Sequence, residues 1–197
     1  MKTGNIVLIV IGVLILFLGG CACNGYNGLA RGDQSVQQVW SNVEANYQRR
    51  TDLYNSVIKV IEGSANFEKS TLRDVIAARA SATQVKVDIN DPATLQKYQA
   101  AQGQLQSAFG RLMAIAEAYP NLKTTSAFQD FQTQIEGTEN RINIARQDYN
   151  SAVRDYNLNV VTFPNNIFAG IFHFVQKAYY KADEGSDKAP NIQFNIK

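Results

Sequence analysis

Cys21 and Cys23 stand one residue apart and are the only thiols of the 197-residue chain. A Cys-x-Cys pair is too close for ordinary disulfide geometry. With one histidine in the whole sequence, His173, it also lacks the further donors that a zinc site needs. The chemistry left to it is acylation. Leu18-Gly19-Gly20-Cys21 resembles a lipobox, in which small residues before a cysteine admit a lipoprotein signal peptidase and leave a diacylated Cys21 at the new N-terminus. The alternative is two small apolar residues near the end of a membrane helix. His173 sits in Ile171-Phe172-His173-Phe174-Val175, a setting for a packed or surface residue rather than a ligand.

Charged side chains offer a second kind of chemistry. Arg50 falls where its helix is otherwise apolar, and a buried guanidinium without a partner is very costly. We expect Arg49 or Arg50 to pair with Glu139, with Asp52, Arg141, Arg146 and Asp155 nearby, as a structural polar network that fixes helix register. The rival arrangement is a carboxylate pair, Glu139 with Asp52 or Glu136, acting as general acid and base or holding a metal. Di-metal bundles use Glu-x-x-His motifs, and this sequence has none. No catalytic residue, cofactor or metal ligand is therefore assigned.

The elements that must position these residues are legible as periodicity. Ile6 to Cys23 is an uncharged, apolar run of 18 residues behind Lys2, about 27 Å as a helix at ~1.5 Å per residue, at the lower edge of a membrane span. Its strongly apolar part, 13 residues to Leu18, also has the size of a signal-peptide core. Either reading tethers the chain to a membrane. Lys2 on one side and Arg31, Arg49 and Arg50 on the other leave the positive-inside rule little contrast.

Beyond the run, apolar residues recur in alternating steps of four and three. The first seam is Val36, Trp40, Val43, Tyr47, Arg50, Tyr54, Val57 and Ile61; the second runs from Leu95 through Tyr98, Gln102, Leu105 and Phe109 to Tyr119; the third runs from Phe128 through Phe131, Ile135, Thr138 and Ile142 to Tyr156. These are heptad, coiled-coil-like patterns, far from the period of two that strands require. A shorter helical stretch lies between the first two, roughly residues 68 to 87. All four prolines, Pro92, Pro120, Pro164 and Pro190, fall at edges of periodic segments. Asp91-Pro92 reads as an N-cap with proline in the first turn, and Ser126 with Gln129 as a capping box.

The predicted fold is all-α: an up-and-down antiparallel four-helix bundle of long helices over residues 35–175, since short connections force antiparallel neighbours. An N-terminal transmembrane or lipoprotein signal segment (1–23) precedes it, then a junction (24–34) made flexible by Gly25, Gly28 and Gly32. A short C-terminal helix around Phe168 either caps one end of the bundle or meets a partner or lipid. A flexible tail is expected over 176–197, with Ile192, Phe194 and Ile196 alternating like a weak strand. The first helix exceeds the second in length, so its N-terminal end should project.

Charge narrows the function classes. Nineteen Lys and Arg against 17 Asp and Glu give a net charge of +2, with no basic field to recruit nucleic acid.

Several motifs resemble a known family. Tyr26-Asn27-Gly28-Leu29, Val39-Trp40-Ser41-Asn42-Val43 and Tyr47-Gln48-Arg49-Arg50-Thr51-Asp52-Leu53 are similar to the opening motifs of the LemA family of bacterial membrane-anchored proteins. Gly137-Thr138-Glu139-Asn140-Arg141-Ile142, Ala145-Arg146, Tyr149-Asn150, Tyr156-Asn157, Phe163-Pro164 and the stretch from Phe168 to Phe174 resemble its second signature. Tyr54-Asn55-Ser56-Val57 departs from the usual Ile-Pro-Asn-Leu, and His173 stands where the family usually has glycine. The resemblance implies an N-terminal membrane segment, a soluble helical bundle and a poorly defined biochemical role.

The expected function is that of a non-enzymatic scaffold or interaction partner at the cell envelope, anchored in or lipid-anchored to the cell membrane. Its expected partners are the membrane, an envelope protein, or copies of itself through the projecting helix. The competing class is an enzyme or small-ligand binder using a polar cleft between helices around Glu139.

Overall fold

All eight positions of the first seam, Val36 to Ile61, are buried in the computed structural model, which describes residues 3–63, 68–123 and 125–181. Among these residues the elements are helices: α1 (Thr3–Glu62), α2 (Lys69–Gln84), α3 (Pro92–Ala116), the one-turn α4 (Pro120–Lys123), α5 (Ser126–Val161) and α6 (Asn165–Phe172). The second seam, apart from Tyr119 beyond its end, forms the inner face of α3, and the third forms that of α5.

Side-chain pairings give the directions. Gly32 faces Tyr156, Trp40 packs edge-on to Tyr149 and Arg50 meets Glu139, so α5 runs antiparallel to α1. Trp40 and Tyr47 meet Tyr98, Arg50 meets Gln102, and Tyr54 stacks on Phe109 with ring centroids 3.7 Å apart, so α3 runs parallel to α1. With α2 folded back on α3, the order is up, down, up, down. Leu53 and Ile58, on a second face of α1, widen the buried stripe.

The core has two apolar halves. One gathers around Trp40, Tyr98 and Tyr149, the other around Tyr54, Phe109 and Phe131. Between them lies one polar level: Arg50, Gln102 and Thr138.

The junction expected at residues 24–34 is not a break. α1 is helical without interruption from Thr3 to Glu62, about 90 Å at ~1.5 Å per residue, and its end from Leu8 to Leu18 projects with its apolar side chains exposed. Glycine weakens an isolated helix, but two of these glycines serve packing. A Cβ on Gly25 would lie 2.5 Å from Cδ2 of Phe168 in α6, and one on Gly32 would lie 3.0 Å from Cδ2 of Tyr156 in α5. Both neighbours reach the α1 backbone because no side chain stands in the way.

Helix ends follow local chemistry with one correction. The Asp91 carboxylate accepts from the Ala93 N–H at 2.9 Å, with Pro92 in the first turn. The capping box expected at Ser126 does not form: Thr125 is the N-cap, and its hydroxyl donates to the Leu122 carbonyl instead. α6 ends with His173 in the left-handed region (φ 59°, ψ 33°), where the Phe174 N–H closes back on the Ala169 carbonyl at 2.9 Å. That conformation favours glycine, which accounts physically for the family's usual residue there.

The expected tail boundary at 176 needs a second correction. Residues 174–181 form an extended strap that packs along α5, with Lys177 and Tyr180 buried. The strand-like alternation of Ile192, Phe194 and Ile196 lies outside the described residues.

Candidate functional site

Arg50 is the most deeply buried charge, 2% exposed, in the middle of the bundle. Helix periodicity brings it inward on the seam of α1, and each contact then answers its guanidinium. Nη2 donates to the Gln102 side-chain oxygen at 2.6 Å and to the Gln102 carbonyl at 3.3 Å; Nη1 donates to Oε1 of Glu139 at 3.3 Å. Its Cζ also lies 4.7 Å from the Tyr47 ring centroid and 5.8 Å from that of Tyr54. A buried cation is thus held by a carboxylate, an amide, a carbonyl and two π faces.

Of the two candidate arginines, Arg50 is the one that meets Glu139; Arg49 is on the exposed face. Asp52 is exposed and accepts from Gln48 at 3.0 Å, one helical turn away. Arg141 is exposed and lies in a shallow groove with Asp148. Arg146 takes a different partner: it stacks on Tyr180 at 4.2 Å and donates to the Lys181 carbonyl. Asp155 pairs with Arg154 at the surface.

A polar cleft of about 190 Å³ opens beside the pair, lined among others by Gln99, Gln106, Asn143 and Arg146. Glu139 is the one carboxylate among its described lining residues, and Arg50 already engages it. Glu136 lines a neighbouring groove that Glu139 also borders, and Asp52 lines neither. Of the two carboxylates expected beside Glu139, only Glu136 shares a groove with it, and Arg50 already engages Glu139. Among the described residues no group of three or more His, Cys, Asp or Glu converges.

Buried phenols line the core at this level and towards the α1 N-terminal side of it. Burial pushes Tyr54 up to about 12, with Arg50 pulling down and Glu139 pushing further up. Burial likewise raises Tyr98 and Tyr149, and it lifts Tyr156 to about 12 with help from Asp33. All four are neutral at physiological pH and act as hydrogen-bonding and packing groups.

The strap brings a second polar set, which sequence reasoning missed. Asn157 accepts from the Lys177 N–H at 2.8 Å and donates to its carbonyl at 3.0 Å; Asn150 does the same for Tyr180, at 2.8 and 2.9 Å. The spacings match. Seven residues of helix rise about 10.5 Å, and three residues of extended chain about 10 Å, so two asparagines two turns apart read every third strap residue. Tyr149 donates to the Ala178 carbonyl at 2.8 Å, and the Ala178 N–H bonds the Ile89 carbonyl at 3.1 Å. Lys177 reaches under the strap to pair with Asp33 of α1 and to donate to Asn90 at 2.6 Å. Gln102 was visible as a lone polar break in its seam. Asn150 and Asn157 were visible as two amides on one helix face, with nothing to say what they hold.

At the N-terminal end Cys21 is half-buried and Cys23 exposed, both within unbroken α1. The helix is long and apolar enough there to cross a membrane.

Comparison with known proteins agrees with this architecture. Magnetosome protein MamQ 2 of Paramagnetospirillum magneticum is 25% identical over 82% of this chain, which spans 66% of that protein's length. Protein LemA of Metamycoplasma hominis is 27% identical over 80% of this chain and 69% of its own. MamQ of Magnetospirillum gryphiswaldense is 23% identical over 82% of the chain and 66% of its own length. The LemA family model matches residues 39–194, a span that holds the Arg50 level, the strap and every seam position but Val36, and the chain therefore belongs to the LemA family.

Proposed function

We propose that this protein is a membrane-anchored, non-enzymatic scaffold or interaction partner at the bacterial cell envelope. The observation that carries the reading is the use made of its polar chemistry. Arg50 binds Gln102 and Glu139, Asn150 and Asn157 bind the strap, and Lys177 ties the strap to Asp33 and Asn90, so these charged and amide groups are engaged in holding the bundle together. The apolar start of α1 supports membrane association.

Extraction from native membranes in mild detergent, followed by light scattering of the purified protein, tests the scaffold reading. A complex heavier than the 21.8 kDa chain is expected; a monomer alone overturns it. Intact mass, compared with a Cys21→Ser variant, separates the two anchors. A chain starting at acylated Cys21, lost in the variant, means a lipoprotein. A chain retaining its N-terminal run means a transmembrane anchor.

One observation favours a second reading, a small-ligand site in the cleft: the buried Gln99 side-chain amide beside it has no hydrogen-bond partner. A ligand that raises the melting temperature of the wild type but not of Glu139→Gln would support it.

A further inference from the structure

After Asn165 and Asn166 in its first turn, α6 is apolar through to Phe172. Phe168 and Ala169 pack inward, Phe168 against Gly25 of α1, while Ile167 and Ile171 point outward and are more than half exposed. Apolar side chains exposed together on so short a helix mark a surface that meets a partner or lipid. The turn before it presents Phe163, 81% exposed, and the chain after it presents Val175.

This patch is at the end of the bundle where α1 leaves it. Leu18 and Gly25 are seven residues apart on one helix, about 10 Å, and Cys21 and Gly25 four apart, about 6 Å. α6 therefore lies within the thickness of a headgroup layer from the end of the apolar run, whichever anchor is used. Charge agrees. No Asp, Glu, Lys or Arg occurs from Thr3 to Ala30 or from Leu158 to Gln176, so neither element at this end carries a charge that would resist the interface.

We infer that α6 and the Phe163–Pro164 turn lie in the lipid interface as a second membrane contact, dipping Phe163, Ile167 and Ile171 about 5–10 Å below the headgroups. This rests on the membrane-anchored reading above. Two points of contact hold the bundle at a set angle to the bilayer, where the anchor alone would let it swing.

The test uses the full chain in phosphatidylcholine vesicles whose acyl chains carry bromine, a short-range quencher of tryptophan. Ile171→Trp and Phe163→Trp each add a reporter over the common background of buried Trp40; Ile76→Trp, exposed on α2 at the far end, is the control. Phe163 is so exposed that its substitution disturbs no packing. Flotation with the vesicles is read first, and a protein that fails to float overturns the anchored reading together with this inference. For protein that floats, strong bromine quenching is expected for Ile171→Trp and Phe163→Trp and not for Ile76→Trp. Equal quenching at all three overturns the proposal. So does blue-shifted but unquenched emission from Ile171→Trp, which would mean that a second copy or another protein covers the face.

Discussion

Arg50 donates to the side-chain oxygen of Gln102 at 2.6 Å, so the polar residues that interrupt two otherwise apolar seams interrupt them at the same level and bond to each other, while the buried Arg50 Nε has no hydrogen-bond partner. Sliding α1 against α3 by one turn would bury each against apolar side chains, and the pair thereby specifies register. Breaking it from one side should be expensive. Arg50→Ala is expected to lose about 3–5 kcal/mol in urea unfolding. The joint replacement Arg50→Met with Gln102→Leu should lose far less. A double-mutant cycle of Arg50→Ala with Glu139→Ala should return a coupling of about 1–3 kcal/mol, and no coupling would refute the pairing.

The strap depends on two amides. Asn150→Ala or Asn157→Ala leaves a strap N–H and a carbonyl without partners and should cost about 2 kcal/mol each. Hydrogen exchange locates the loss: the amides of Tyr180 and Lys177 respectively should lose protection, while those in the α1 seam keep theirs. Uniform loss across the bundle would mean that the strap is not a separate latch.

Glycines of this chain fall into two groups with opposite expected signs. Gly103, Gly110 and Gly137 have open space where a Cβ would stand, so alanine at each should stabilise by about 0.5–1 kcal/mol through helix propensity. Gly25→Ala and Gly32→Ala should destabilise, because Phe168 and Tyr156 occupy that space. His173→Gly should stabilise by about 1 kcal/mol, since the left-handed conformation then comes without the Cβ penalty. Thermal melts followed by circular dichroism decide each sign.

Alkaline stability should be set by buried phenols. Tyr54 is raised from 10.0 to about 12 chiefly by burial, so its contribution is complete below pH 10, falls as the unfolded chain ionises first, and is gone above about pH 12. Tyr156 acts in the same window. Tyr54→Phe should unfold less steeply with rising pH between 10 and 12 than the wild type. Parallel slopes would show that Tyr54 is already ionised in the fold.

How far the fold could be read from sequence varied with the kind of force involved. Trp40, Tyr98 and Tyr149 were readable as core because heptad spacing puts them on one face whatever the partner. Arg50 and Gln102 were readable as exceptions on their seams, but their meeting depends on the relative register of α1 and α3, which no local signal encodes. The continuity of α1 through Gly25 and Gly32 was misjudged because local propensity opposes a helix there and packing by Phe168 and Tyr156 overrides it. The strap was missed for a different reason: its hydrogen bonds go largely to side chains of α5, so residues 174–181 show neither helical nor strand periodicity.

Unbroken α1 makes the molecule a stiff shaft. Helical hydrogen bonding that continues from Leu18 to Arg50 links any tilt or rotation of the projecting end to the polar level, where Gln102 and Glu139 hold Arg50. Movement of the projecting end and alignment of the helices around Arg50 are therefore coupled through one continuous backbone.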